Sequence, residues 1–151
     1  MTQPIVTQLL AQVHVSGHPK TKGSLEFVTA KHAREKPGSD RWRKLVADAL
    51  KRGRIGDQGV PFPGRVGVSI VSYLQPPLSY RERIVEWLLG RFSGDGDKLT
   101  RNVLDALTDS GLIVDDGQVW DLYHGKRLAP IGALPGQVIQ VWVVPEDAPW
   151  T

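Results

Sequence analysis

A chain of 151 residues with 40% hydrophobic content is long enough for one compact domain with a core of its own, and no second domain is needed. It has no cysteine, which excludes a disulfide framework and any thiolate metal site and is compatible with a reducing compartment. The net charge of +3 hides an asymmetry: residues 1–92 hold 15 Lys or Arg against 7 Asp or Glu, and residues 93–151 hold 4 against 9. A basic portion joined to an acidic one suits a protein that grips a polyanion with the first and cations with the second, although charge runs are also ordinary solvated faces.

The opening MTQPIVTQLL lacks a basic n-region and a long apolar h-region, so no signal peptide is expected. No apolar run approaches membrane-spanning length, and a cytoplasmic protein is the simplest expectation. Residues 1–10 read as a loose lead-in. From Ala11 to Ser16, Val13 and Val15 alternate with Gln12 and His14, which predicts a strand ending at Gly17. His18 to Ser24 is a polar loop carrying Lys20 and Lys22, and Leu25–Thr29 is a second candidate strand. Lys31 to Lys36, basic and followed by Pro37-Gly38, reads as loop.

A cap at Ser39 or Asp40 opens a helix through Arg52, with Trp42, Leu45, Val46, Ala49 and Leu50 on one face and Gly53 as its stop. Gly56 to Gly64 is a loop, after which Val66, Val68 and Ile70 alternate in a central strand lasting to about Leu74. Pro76-Pro77 breaks it. Ser79-Tyr80-Arg81-Glu82 is a capping box for a short helix to about Leu89, and a loop from Gly90 to Gly94 follows.

The next stretch, Gly94 to Val119, carries the acidic positions Asp95, Asp97 and Asp116. Between Lys98 and Asp109, Leu99, Val103, Ala106 and Leu107 fall at helical spacing, with Asp97 as N-cap, Gly111 as stop, and Lys98, Arg101 and Asp105 towards solvent. Leu112-Ile113-Val114 then predicts a strand or an extended return. A twelve-residue helix and five extended residues both span roughly 17 to 18 Å, so a return along the helix brings Asp116 to the level of Asp97. Asp95 and Asp97 share a face of an extended segment. Three carboxylates meeting there repel unless a cation sits among them, and oxygen-only ligation favours Mg²⁺ or Mn²⁺ over zinc. On the other reading Asp97 is only a cap and Asp115-Asp116-Gly117 only a hairpin turn.

Val119 to Tyr123 reads as a strand paired through that turn, Pro130 to Gly136 as loop, Val138 to Val144 as a last, interior strand, and residues 145–151 as a tail. His14, His18, His32 and His124 show no metal-ligand spacing and read as structural or exposed. Trp42, Trp87, Trp120 and Trp142 sit at core periodicities. Strands and helices interleave without regular βαβ alternation, which predicts an α+β fold: one domain, a mixed sheet and helices packed on it.

The Gly94–Val119 stretch resembles the RusA-type Holliday junction resolvases, whose pattern is an Asp-x-Asp-Asn, a Lys one helical turn on, Leu-Asp-Ala-Leu, and later an Asp-Asp before Gln. Asp95-Gly96-Asp97, Leu104-Asp105-Ala106-Leu107 and Asp115-Asp116-Gly117-Gln118 match it in order and spacing, over about a quarter of the chain. The resemblance implies a homodimeric endonuclease in DNA recombination and repair that cuts four-way junctions by paired incisions. It also implies that Asp95, Asp97 and Asp116 hold a catalytic Mg²⁺, with Mn²⁺ as a possible substitute. The family's Gly-x-Pro-x-x-Lys stretch corresponds to Gly17 to Lys22, so Lys20 and Lys22 become candidates for DNA phosphate; Arg81 and Arg83 are candidates by proximity alone.

Two positions depart from the pattern. Lys98 stands where the family has Asn, and Arg101 where it has its catalytic Lys. Arg cannot release a proton near neutral pH, so Arg101 is read as an electrostatic clamp on the scissile phosphate, with Lys98 sharing the task. An i,i+4 surface pair of Arg101 with Asp97 or Asp105 is the plainer alternative. The departures also motivate a catalytically impaired junction-binding protein as an alternative function, and a nuclease acting on flaps or branches is another. Such proteins are frequent in bacteriophage and prophage genomes, which points to a bacterial host.

Overall fold

The computed structural model describes residues 8–20, 25–29, 32–35, 38–56, 60–76, 84–89, 96–129 and 132–146. Its main sheet is built from β1 (Leu9–Ser16), β4 (Val66–Leu74), β5 (Val119–Leu128) and β6 (Gly136–Val143), in the order β1-β6-β4-β5. β1 and β4 flank β6 antiparallel, and β5 lies parallel to β4, which makes the sheet mixed. The strands β2 (Leu25–Thr29) and β3 (His32–Glu35) form a separate antiparallel pair. The helices are α1 (Ser39–Arg52), α2 (Ile84–Leu89) and α3 (Gly96–Asp109). The fold is α+β, as the residue pattern predicts.

The core follows the two periodicities. Val66, Val68 and Ile70 of β4, Ile139 and Val141 of β6, and Ala11, Val13 and Val15 of β1 point to one face of the sheet. Trp42, Val46, Ala47 and Leu50 of α1 and Val103, Ala106 and Leu107 of α3 close over that face. β4 and β6 are interior strands, and their buried positions are apolar apart from Ser72 and Gln137, which hydrogen-bond each other. Among the described residues no helix is long and apolar enough to cross a membrane.

Several elements differ from their sequence reading. β1 begins at Leu9 within the expected lead-in, because Val143 donates its N–H to Gln8 and Leu9 pairs with Trp142 across a bulge. His32–Glu35, read as loop, is a strand: its polar residues give no hydrophobic period, and backbone pairing with β2 supplies the structure instead. α1 is preceded by Gly38 at φ +95 and has no side-chain cap from Ser39 or Asp40. Leu45 is 46% exposed and Ala47 takes its place in the core. Trp120 is 56% exposed, stacked under the Arg65 guanidinium 4.1 Å from its ring centroid. The Asp-Gly turn makes no hairpin: β5 leaves it to run parallel to β4 after a long crossover. The capping box at 79–82 and the loop at 90–94 lie outside the described residues.

Leu107, fully buried between α3 and the sheet, sets the scale of this packing. Leu107→Ala is expected to cost about 2–5 kcal/mol of unfolding free energy. Leu45→Ala on the exposed face of α1 is expected to stay within about 0.5 kcal/mol. Urea denaturation of both variants measures the difference.

Candidate metal centre and nucleic-acid surface

α3 forms because Leu99, Val103, Ala106 and Leu107 share one fully buried stripe. It stops where Gly111 takes φ +78 and donates to the Thr108 carbonyl, a conformation that favours glycine. Its first residue is Gly96, so Asp97 lies inside the first turn and is not the N-cap. There the exposed carboxylate lies in the first turn, at the positive end of the helix dipole, and among the described residues it has no side-chain partner. Asp95 lies outside the described residues.

The first turn of α3 is tied to the sheet by a chain of hydrogen bonds. Trp42 Nε1 donates to Gln137 Oε1 at 2.9 Å, and Gln137 Nε2 donates to Ser72 Oγ at 2.9 Å. Ser72 Oγ is 2.7 Å from His124 Nε2, and His124 Nδ1 lies 2.8 Å from Thr100 Oγ1 and 3.0 Å from the Gly96 carbonyl. Thr100 Oγ1 donates to the same carbonyl at 2.7 Å. One proton arrangement satisfies the chain. Ser72, already accepting from Gln137, gives its hydroxyl proton to Nε2, and neutral His124 carries its proton on Nδ1 towards Gly96. Burial lowers the His124 pKa from 6.5 and outweighs the raising effect of the Gly96 hydrogen bond, while Lys126 lowers it further.

The Asp-Asp-Gly-Gln sequence forms a 3₁₀ turn, Asp116–Gln118, ahead of β5. Asp115 caps it, its Oδ2 accepting from Gly117 N at 2.9 Å. Gln118 Oε1 accepts from the N–H groups of Val114 and Asp115, and its Nε2 donates to the carbonyls of Phe62 and Gly64, both at 2.8 Å. The two outer residues of the motif are thereby used up in building the turn. Asp116 between them is exposed, and among the described residues its carboxylate has no partner.

The return from Gly111 does not carry Asp116 to the level of Asp97. Ile113 makes a single parallel bridge to Phe62, and the 3₁₀ turn stays beside Phe62 and Gly64. The climb along the sheet is made by β5 instead: Val119 is level with Val66, and His124, which touches Gly96, is level with Ile70. The four residues from Val66 to Ile70 span roughly 13 Å, and Asp116 lies beyond Val119 on the far side. Two aspartates sharing one Mg²⁺, with bonds of about 2.1 Å, keep their Cα atoms within roughly 11 Å. Along the sheet, therefore, the level of the Gly96 carbonyl and that of the Asp116 turn are further apart than such a shared ion spans. Among the described residues no group of three or more His, Asp or Glu is placed to hold a metal ion.

Arg101 is exposed one turn after Asp97, and no ion pair joins it to Asp97 or Asp105. Lys98 is half-buried and has an interaction partner. Lys20 is exposed, and its backbone carbonyl accepts from Asn102 Nδ2 at 3.0 Å, which fixes Lys20 against α3 at the residue after Arg101. Lys22, Arg81 and Arg83 lie outside the described residues. Sequence reasoning missed the roles of His124, Gln118 and Asn102. Each is polar within an otherwise apolar or turn-forming context, and their long-range partners are 24 to 82 residues away along the chain.

The described structure is thus an α+β domain whose mixed sheet carries Asp97 in the first turn of α3 and an Asp-Asp-Gly-Gln turn ahead of its parallel edge strand. The family model of the endodeoxyribonuclease RusA matches residues 16–135. The chain belongs to the RusA endodeoxyribonuclease family. No curated protein matches it.

Gln118→Leu removes four hydrogen bonds at once and is expected to cost about 1–3 kcal/mol, measured by urea denaturation. His124 sets a pH dependence. Above pH 6.5 it is neutral in both folded and unfolded states and its contribution is complete. As pH falls below 6.5 the unfolded chain takes up the proton first, and stability declines until the lowered native value is passed. Thermal melts between pH 5 and pH 8 are expected to fall more steeply on acidification for the wild type than for His124→Gln.

Proposed function

We propose that this chain is a Mg²⁺-dependent endonuclease, with Mn²⁺ as substitute, that resolves four-way DNA junctions by paired incisions as a homodimer in recombination and repair. The observation that carries the reading is the fate of the acidic motif. Asp97 and Asp116 keep unpartnered carboxylates, whereas the neighbouring Asp115 is consumed as a cap. Exposed oxygen ligands without thiolate or free imidazole fit a hard divalent ion.

Asp95 and Asp97 would hold the ion from the start of α3. The gap between Asp97 and Asp116 within one subunit argues that the partner subunit's Asp116 completes the set, so that each centre needs both copies. A two-fold arrangement also matches the substrate, because a roughly two-fold junction then meets one centre on each of two opposed strands. A divalent ion held there supplies charge neutralisation on the phosphate and lowers the pKa of a bound water.

The chain's own side chains do the rest. Arg101, always protonated, binds a phosphate oxygen and cannot serve as a base. Lys98 shares the clamp. Lys20, with Lys22 beside it in sequence, holds the flanking backbone, and Arg81 and Arg83 extend the basic track; this affinity is independent of base sequence and falls with salt. His124 is half-buried with both ring nitrogens engaged, which removes it as a proton acceptor for water. Lys98 and Arg101 in place of the family's Asn and Lys favour the second reading, a junction-binding protein impaired in cutting.

Cleavage of a synthetic four-way junction, a fork and a linear duplex in Mg²⁺ tests both. Fast symmetrical cutting of the junction alone supports resolution, equal rates on all three support a general branch nuclease, and binding without incision in either Mg²⁺ or Mn²⁺ supports the impaired reading. Asp97→Asn and Asp116→Asn are each expected to abolish cutting while retaining junction binding. Mixing the two inactive variants so that subunits exchange is expected to restore nicking to a substantial fraction, because a mixed dimer regains one intact centre. No restoration would place all three acids in one subunit.

A further inference from the structure

We propose that His124 is a positioning residue for the metal ligands, holding the Gly96–Asp97 peptide through the buried chain that starts at Trp42. The proposal rests on the metal reading above and deepens it. Asp95 and Asp97 flank Gly96, and the peptide between Gly96 and Asp97 is a rigid plane. A hydrogen bond to the Gly96 carbonyl therefore sets the orientation of the unit that carries Asp97, without touching the carboxylate.

Gly96 needs such a hold. It has no Cβ, nothing lies within 4 Å of where one would be, and it sits at the end of a helix, where backbone frays most readily. Two side-chain atoms converge on its carbonyl, Thr100 Oγ1 at 2.7 Å and His124 Nδ1 at 3.0 Å. His124 is in turn anchored through Ser72 and Gln137, both fully buried, to Trp42 at 3% exposure. The imidazole spans the distance from β4 to the helix end because its two nitrogens point in opposite directions, one accepting and one donating. A carboxamide reaches only one of the two partners well, and an aliphatic side chain reaches neither. Groups that orient ligands from behind typically change metal affinity by about 10–100-fold when removed.

Direct Mn²⁺ binding, followed by the loss of the free-ion EPR signal in the full-length protein, tests this apart from activity. His124→Val is expected to weaken Mn²⁺ binding at least about 10-fold and to raise the Mg²⁺ midpoint for junction cleavage in parallel, with junction affinity in EDTA unchanged. His124→Gln is expected to fall between it and the wild type. Leu107→Ala, which lowers stability without contacting the first turn, is expected to bind Mn²⁺ as the wild type does. If His124→Val binds Mn²⁺ normally while Asp97→Asn does not, positioning by His124 is wrong and the metal reading stands. If Asp97→Asn also binds normally, the metal reading falls and this proposal with it. Should His124→Val fail to fold, His124→Gln decides: unchanged Mn²⁺ affinity overturns the proposal.

Discussion

The parallel pairing of β5 with β4 is the constraint from which the site's layout follows. A parallel partner cannot be reached by a tight turn, so the chain leaves the end of β4, crosses back through α3 and re-enters at the level where β4 began. α3 is long enough to make that crossing in one span. Its N-terminus is consequently fixed beside Ile70 and Ser72, and its C-terminal exit beside Phe62, and the acids at the two ends of the crossover are held apart by the length of the crossing. On the reading proposed above, that separation is what would call for a second copy to complete each centre.

Both ends of the crossover are fastened by side chains rather than by strand pairing. At the exit Gln118 bonds four backbone groups, and at the entrance His124 and Thr100 share the Gly96 carbonyl. In each case the fastening leaves the neighbouring acid without a protein partner. Carboxylates with partners of their own are ill suited to a metal ion, since binding would first have to break those bonds. Here the structural work is done by Asp115, Gln118 and His124, and Asp97 and Asp116 are left exposed.

What could be read in the sequence was local. The stripe Leu99, Val103, Ala106 and Leu107 is a period-3.6 signal and gives α3 to within two residues; the alternation Val66, Val68, Ile70 gives β4. The acidic motif was visible by its spacing and its family resemblance. The direction of β5 was not, because Asp-Gly before an apolar run predicts an antiparallel hairpin equally well, and only long-range pairing with β4 decides between them. Nor was Trp120's exposure legible: its periodicity matches a core position, but β5 is an edge strand with one neighbour. Element lengths alone put Asp116 at the level of Asp97, whereas the return runs beside Phe62 and then curls into a 3₁₀ turn.

The substitutions at 98 and 101 bear on how charge is handled at the entrance. Asp97 in the first turn already benefits from the helix dipole, and Lys98 beside it adds a cation within the same turn. Arg101, one turn further and free of any pairing with Asp97 or Asp105, projects a planar five-donor group suited to two phosphate oxygens at once. Together they make the first two turns of α3 more cationic than the family's Asn and Lys would. Arg101 offers no proton acceptor near neutral pH. On the metal reading proposed above, the geometry of the Gly96–Asp97 peptide, and the imidazole behind it, would then matter more in this chain than in one that keeps a lysine at position 101.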